Sequence, residues 1–101
     1  MARQLAWSPE AVEDLQEIGR YVARDSALYA QAVVTSVVET AESLPEHPRL
    51  GRTVPEYGDP DVRERFVYSY RLVYRVETHR LLIVAVVHGS RLLSEVMDDH
   101  D

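Results

Sequence analysis

The sequence contains no cysteine and no lysine. Without cysteine the chain can form neither disulfides nor thiolate metal sites. Its histidines, at positions 47, 79, 88 and 100, form no close ligand pair, so we expect no metal site and no cofactor. No apolar run approaches the ~20 residues of a membrane span, and the N-terminus lacks the apolar stretch of a signal peptide. We therefore expect a cytoplasmic protein that does not bind membranes.

Positive charge is also scarce, because 11 arginines stand against 17 acidic residues and the formal net charge is −6. The charge is unevenly spread: residues 1–48 and the tail from about residue 94 are acidic, whereas residues 49–93 carry eight arginines against five acids. An acidic chain is a poor binder of free nucleic acid, since that affinity comes from phosphate neutralisation. The arginine-rich part can still contact a phosphate or a protein carboxylate through its planar guanidinium groups.

Two helices are predicted in the first half of the chain. Residues 3–7 have the pattern of a short strand, and Ser8-Pro9-Glu10 then supplies an N-cap, a first-turn proline and an acid at the positive helix end. The first helix should run from Pro9 to about Arg24. The second should run from about Ala27 to Ser43, with an apolar stripe at helical spacing. The short break between them predicts an antiparallel hairpin.

The second half of the chain predicts strands. Residues 45–61, rich in proline and glycine, should be a long loop without regular structure. Strands should follow over 62–68, 70–77 and 81–88, the last of them apolar enough to be buried on both faces. Residues 94–101 should form an acidic, frayed or partly helical tail. We see no second domain, so residues 1–101 are expected to be a single domain.

These elements predict an α+β fold, with an N-terminal strand and a helical hairpin packed on one face of a small antiparallel sheet. The first strand should lie at an edge. The covered face should carry Leu72, Tyr74 and Val76. The other face should carry Arg71 and Arg75, and Arg63 and Arg65 are further candidates for it.

Four local patterns occur in this order along nearly the whole chain. They are Trp7-Ser8-Pro9 followed by Asp14-Leu15 and Ile18; Leu44-Pro45 to Gly51-Arg52 with Val54-Pro55-Glu56; Tyr70-Arg71-Leu72-Val73-Tyr74; and Val86-Val87-His88-Gly89-Ser90-Arg91. Each is weak alone, but their order and spacing resemble the RelE/ParE superfamily of toxins from bacterial toxin–antitoxin pairs.

The resemblance implies one of two activities. The RelE-like branch cuts messenger RNA on the ribosome, and the candidate catalytic residues here would be Arg65, Arg71, His88 and Arg91. The ParE-like branch inhibits DNA gyrase by binding it, without a known hydrolytic site. Where some of the nucleases carry a His-Tyr pair, this chain has Gly89-Ser90, and its net charge would repel ribosomal RNA. We therefore favour the ParE-like branch; a toxin with another protein target is a third hypothesis.

The resemblance also implies partners. A cognate antitoxin, of the ribbon-helix-helix type, should wrap the toxin and contact operator DNA on its behalf, and DNA gyrase should be the target. The candidate target- or antitoxin-binding residues are Tyr21, Leu28, Tyr29, Arg63, Arg65, Arg71, Arg75 and Arg91. For Arg71 we favour a bidentate pair with an antitoxin carboxylate. A solvated face is the alternative interpretation of the sheet arginines, and a structural hydrogen-bonded group is the alternative for His88.

Overall fold

The computed structural model describes residues 3–90, so Arg91 and the predicted acidic tail lie outside the described residues. Two α-helices and five strands follow one another in the predicted order. The elements are β1 (Gln4–Trp7), α1 (Pro9–Ala23), α2 (Ala27–Ser43), a 3-10 turn (Leu44–Glu46), β2 (Arg52–Thr53), β3 (Val62–Val67), β4 (Tyr70–Val76) and β5 (Arg80–His88). The α+β class, the helical hairpin and the three long strands are thus confirmed.

Serine side chains start both helices. The Ser8 hydroxyl accepts a hydrogen bond from the backbone N–H of Ala11 at 3.0 Å, and Pro9 occupies the first turn, where a missing N–H costs nothing. Ser26 caps α2 in the same way by accepting from the N–H of Tyr29, also at 3.0 Å. Each cap satisfies a donor that would otherwise lack a partner.

The sheet order is β1-β5-β4-β3-β2, with β1 at one edge as predicted. One detail of the prediction is wrong, because β1 pairs with β5 in parallel and the sheet is therefore mixed. The other strand pairs are antiparallel. A hairpin strand must run antiparallel to its neighbour, but β1 is joined to β5 through two helices and three strands, which leaves its direction open.

Polar side chains of the N-terminal region complete the hydrogen bonding of β5. A register shift leaves Val84 without a partner on β4. The Ser8 hydroxyl lies 3.3 Å from the Val84 carbonyl oxygen and donates to it, and the Asp14 carboxylate accepts from the N–H of Val86 at 3.1 Å. These contacts fix the start of α1 over the part of β5 that β1 does not reach, because β1 ends opposite Ile83.

The main core lies between the hairpin and the sheet. Leu72, Tyr74 and Val76 point into it, as predicted. The buried residues that join them are Ala11, Val37, Ala41, Leu44, Val67, Leu81, Ile83 and Val86. Burying a large aliphatic side chain stabilises a fold by about 1.5–3 kcal/mol, so this cluster is what holds the helices to the sheet.

The opposite face of the sheet is covered too, which the sequence analysis did not predict. Residues 45–61 are not devoid of regular structure, since they include the 3-10 turn and β2, and β2 pairs with Arg63 and Glu64 of β3. The segment brings Val54 onto a second buried cluster with Val62, Val73, Ala85 and Val87. We call residues 54–61 the strap. Val73 of β4 and Ala85 and Val87 of β5 lie on this face and are buried beneath the cover.

Tyr74 holds this segment in place from the main core. Its hydroxyl donates to the Pro48 carbonyl oxygen at 2.8 Å and accepts from the Gly51 N–H at 2.9 Å. A buried tyrosine hydroxyl needs such partners, and here they come from the chain that leaves α2. In the described part of the chain, no helix has the length and apolar character needed to span a membrane, and no group of potential ligands is placed to hold a metal ion.

Candidate functional site

Arg71 lies on the strap side of the sheet, as predicted, but it is buried rather than exposed. Its Nη1 and Nη2 donate to the two carboxylate oxygens of Glu56 at 2.8 and 2.9 Å. Its Nε donates to Oε1 of Glu64 at 2.6 Å. Only 5% of the Arg71 side chain is exposed, and the Glu64 side chain is fully buried. The guanidinium is therefore held between two carboxylates of the same chain.

The network extends to the sheet edge. The second oxygen of Glu64 accepts from Nε of Arg52 at 2.6 Å, and the Arg52 guanidinium lies over the Phe66 ring at 5.4 Å. Hydrogen bonding to Glu56 raises the pKa of Arg71 above its ordinary value, and hydrogen bonding to Glu64 adds to this, although burial acts in the opposite direction. Arg71 remains charged and engaged at any physiological pH.

Register explains why Glu64 meets Arg71. The two-residue hairpin loop Tyr68-Ser69 pairs Val67 with Tyr70, so Glu64 falls opposite Val73 and on its face. Arg71 is a neighbour of Val73 on that face. The alternation of residues along β3 indicates the face of Glu64, since Val62, Glu64 and Phe66 lie on the same side of the strand. The contribution of Glu56 could not be inferred, because it depends on the path of the strap.

The same register corrects the expected position of two other arginines. Arg63 pairs with Tyr74 and Arg65 with Leu72, which places both on the face that the helices cover, opposite to Arg71. Arg63 donates to the carbonyl oxygens of Pro60 and Gly51 at 2.9 and 2.8 Å. The predicted grouping of Arg63 and Arg65 with Arg71 on one face is wrong by one residue of alternation. Arg75 does lie on the strap side and is exposed.

His88 also lies on the helix face, since it pairs with Tyr70 in the register and meets the Tyr70 ring edge-on at 5.8 Å. Its Nδ1 is 2.8 Å from the Ser90 hydroxyl and accepts from the Ser90 N–H at 3.2 Å. His88 and Tyr70 line a cleft of about 360 Å³ beneath α1. Arg71 and His88 are therefore on opposite faces, and the structure does not bring the candidate nuclease residues Arg65, Arg71 and His88 together.

Aromatic side chains are concentrated at the end of the molecule where the two helices meet. The predicted residues Tyr21, Leu28 and Tyr29 are 66%, 79% and 50% exposed. Tyr68, for which the sequence predicts no role, is 51% exposed and meets Tyr29 edge-on at a ring separation of 5.6 Å. We call these four residues the aromatic end. Nearby Tyr70 has its pKa raised, mainly by burial and further by Tyr21 and Tyr29.

Tyr68 adopts an unusual backbone conformation. It is the sole non-glycine residue with positive φ (54°) among the described residues 3–90. A bulky residue in the left-handed region costs about 1–2 kcal/mol, and glycine or asparagine would avoid most of that cost. The half-exposed Tyr68 ring contributes little core burial in return. Strain of this kind is often associated with binding surfaces.

An apolar groove runs along the outer side of the hairpin, with a volume of about 820 Å³. It is lined by Trp7, Val12, Leu15, Gln16, Gly19, Arg20, Ala23, Val34 and Val38. Gly19 lies close to α2, where a Cβ would come within 3.3 Å of the Val34 side chain. The groove is thus a shallow apolar surface between two helices, of a size suited to a partner's side chains.

The fold of this chain is similar to that of several solved toxin structures. The structure of a chromosomal ParDE system from P. aeruginosa matches with a TM-score of 0.71 and 23% identity, over 86% of this chain and 96% of that one. The free E. coli toxin RelE, a mutant, matches with a TM-score of 0.70 and 22% identity, over 97% and 93%. The M. tuberculosis toxin–antitoxin complex RelBE2 matches with 0.62 and 20%, over 87% and 99%.

The family is identified by sequence. Residues 5–93 match the model of the ParE toxin of the type II toxin–antitoxin system parDE. The chain belongs to this ParE toxin family, within the RelE/ParE superfamily. A comparison with curated proteins gives no match.

Proposed function

We propose that this toxin acts as a ParE-like inhibitor of DNA gyrase, by protein binding, and that a cognate antitoxin neutralises it. The observation that carries the proposal is the engagement of Arg71 by Glu56 and Glu64. A guanidinium that stabilises a phosphate transition state must be available to the phosphate. Here a phosphate would have to displace a buried carboxylate of the protein itself.

The position of the remaining nuclease candidates favours the same conclusion. Cleavage of RNA by its own 2′-hydroxyl needs a base, an acid and a cation around one phosphate. His88 and Arg65 lie on the helix face, whereas Arg71 lies on the strap face. A sheet separates the cation from the imidazole, so one phosphate cannot contact both. The RelE-like ribonuclease is therefore the alternative function, and RelE itself is among the structural neighbours.

We further propose that an antitoxin helix lies in the apolar groove along the hairpin and continues toward the aromatic end. Trp7, Leu15 and Val34 would receive its apolar side chains, and Tyr21, Leu28 and Tyr29 would contact its end. The structural neighbours include toxin–antitoxin complexes, which supports such a partner. An antitoxin of the ribbon-helix-helix type would carry the operator DNA contacts in the cytoplasm, and the pair would act in plasmid stabilisation.

Two assays on the purified toxin test the proposed target. We expect inhibition of gyrase-catalysed supercoiling, and no codon-phased cuts in a translating messenger. The matched protein for both assays is the toxin pre-bound to its antitoxin, which should be inactive. Codon-phased cleavage without gyrase inhibition would replace the proposal with the ribonuclease. Inactivity in both assays would point to another protein target.

A further inference from the structure

The groove along the hairpin is apolar except at two positions. Gln16 and Arg20 are the polar residues of its lining, and the other lining residues are apolar or glycine. Arg20 is exposed, and it forms no ion pair with any of residues 3–90. A partner can therefore reach this guanidinium without displacing a carboxylate of the toxin, which it would have to do at Arg71.

Arg20 lies near one end of the groove. The part of the lining that α1 supplies runs from Val12 to Ala23 at helical spacing, a length of about 16 Å at a rise of roughly 1.5 Å per residue. Arg20 is in the last turn of α1, close to the connection with α2 and to the aromatic end. A partner helix of about three turns would fill the groove, and one end of that helix would meet Arg20.

The surroundings of Arg20 favour negative charge on a partner. Helix α2 begins close by, and the partial positive charge of its N-terminus is not offset by an acidic residue in its first turn. Arg24 and Asp25, in the connection between the helices, have opposite charges. Glu17 lies one turn before Arg20 but lines the cleft on the other side of α1. A carboxylate that enters this end of the groove is therefore attracted to Arg20.

The other end of the groove has the opposite sign. There Glu10 and Glu13 are exposed on the turns of α1 next to Val12. Neither acid forms an ion pair in the part of the chain that the structure describes. A carboxylate of a partner would be repelled at this end and attracted at the Arg20 end, so the groove distinguishes the two ends of whatever lies in it.

We propose that Arg20 binds a carboxylate of the antitoxin helix and thereby fixes the position of that helix in the groove. The inference rests on the proposed function, because the antitoxin is the partner. Apolar contacts alone allow a helix to shift along such a groove, whereas an ion pair at one end forms in a single register. The guanidinium fork is suited to two parallel hydrogen bonds with a carboxylate. A helix without that carboxylate would leave Arg20 desolvated and unpaired, so Arg20 also contributes to the choice of antitoxin.

An antitoxin helix suits the groove better than a second copy of this chain does. The groove needs an apolar surface with one carboxylate at its end, and the antitoxin is the partner that the family of this chain implies. A second copy would offer carboxylates from its own α1, but the acids Glu10, Glu13 and Glu17 of that helix would also bring it against the acidic end of the groove. Like charges across an interface disfavour this arrangement. The test below separates the two occupants.

The absence of lysine from the chain permits a direct test. Arg20→Lys keeps the charge and introduces the one side-chain amine of the toxin, which a zero-length carbodiimide joins only to a carboxylate in contact with it. The full-length toxin is expressed with the antitoxin encoded beside it, and the purified complex is cross-linked, digested and read by mass spectrometry. Arg24→Lys is the matched control, because Arg24 is exposed at the end of the same helix but does not line the groove. Calorimetry with Arg20→Gln and Arg24→Gln measures the affinity.

We expect the amine introduced by Arg20→Lys to be joined to one aspartate or glutamate of the antitoxin, and Arg24→Lys to give little product. Arg20→Gln should weaken antitoxin binding about tenfold, which corresponds to about 1.4 kcal/mol, whereas Arg24→Gln should have little effect. Both glutamine variants should melt like the wild-type toxin, because both arginines are exposed. A loss of affinity in Arg20→Gln would then be a loss of contact and not of folding.

Three results would each overturn the proposal: an intact complex of the Arg20→Lys toxin that gives no cross-link, an equal yield from Arg24→Lys, or a cross-link to a second copy of the toxin. Unchanged affinity of Arg20→Gln would do the same. The proposed function is judged separately. Gyrase takes no part in the test, so a wrong target would leave its result unchanged, and a wild-type toxin that binds no antitoxin would contradict the proposed partner together with this inference.

Discussion

Arg71 and Glu56 form two parallel hydrogen bonds of 2.8 and 2.9 Å, and they join β4 to the strap across 15 residues of sequence. The pair lies over the second buried cluster, which the strap covers through Val54. The sequence predicts Arg71 to be an exposed cation, but in the structure its ion pair connects the sheet to the strap. Loss of the Arg71 side chain should therefore lower the stability of the fold, and any effect on partner binding should follow from that.

Replacing Arg71 by alanine should destabilise the toxin by about 3–5 kcal/mol, because the buried Glu64 carboxylate would keep only the exposed Arg52 as its partner. Arg71→Lys should recover part of the loss, since it keeps the charge but not the fork. Urea denaturation followed by tryptophan fluorescence measures both. The control is Arg75→Ala, which should stay within about 0.5 kcal/mol of the wild type. Equal stability of the two alanine variants would show that the network is dispensable.

A methyl group at position 51 should also destabilise the fold. A Cβ on Gly51 would lie 2.5 Å from the Tyr74 hydroxyl oxygen and 2.6 Å from the Glu64 carbonyl oxygen. Since a backbone atom cannot move aside easily, Gly51→Ala should cost about 1–3 kcal/mol. Gly58→Ala is the comparison, because no atom lies within 4 Å of its Cβ and only the positive φ of 65° opposes it. Thermal melting of the two variants compares crowding with backbone strain; a milder effect of Gly51→Ala would contradict the packing described.

Alkaline pH should weaken the fold through Tyr74. Burial raises its pKa above the ordinary 10.0, so the folded protein keeps the phenolic proton to a higher pH than the unfolded chain does. The free energy of unfolding should therefore be insensitive to this group below pH 10.0 and should fall as the pH rises from there through the folded pKa. Denaturation across this range measures the slope. Tyr74→Phe should flatten it while costing stability at neutral pH; Tyr70, whose pKa is raised too, contributes what slope remains.

Substituting Tyr68 should separate binding from stability. Asparagine tolerates positive φ, so Tyr68→Asn should leave the melting temperature unchanged or slightly higher. The variant should nevertheless bind the antitoxin about tenfold more weakly, since an exposed aromatic anchor is lost. Calorimetry of the toxin with its antitoxin measures the change. Phe66→Asn is a useful control, because Phe66 is equally exposed but lies on the strap side of the sheet. Unchanged affinity for the Tyr68 variant would remove the aromatic end from the interface.

Local patterns predicted most of the fold. Ser8-Pro9 and Ser26 mark the two helix starts by their capping chemistry, and the alternation of apolar residues marks β3 and β4. These signals act over a few residues, so they can be read without knowing the tertiary structure. The parallel direction of β1 and the path of the strap depend on contacts between distant parts of the chain, and no short pattern determines them.

The candidate site was harder to predict than the fold. Tyr21, Leu28 and Tyr29 were identified because they fall off the apolar stripes of their helices, and all three are exposed. The sequence could not show which arginines are buried and paired and which are exposed, because this depends on the register of the strands. Arg65 and Arg71 differ in face and in partner, although their sequence neighbourhoods are similar. Arg71 could bind a partner at the surface only if Glu56 did not already occupy its guanidinium group.

The pairing of β1 with β5 bears on how this toxin folds. Gln4 pairs with Arg80 and Trp7 with Ile83, so β1 and its neighbour β5 are separated by most of the described chain. Contacts of such long sequence separation form late in folding. Strand β5 is also the neighbour of β4 on the edge that β3 does not occupy. A truncated toxin that lacks β5 would therefore leave β1 without a neighbour in the sheet and β4 with one edge unpaired.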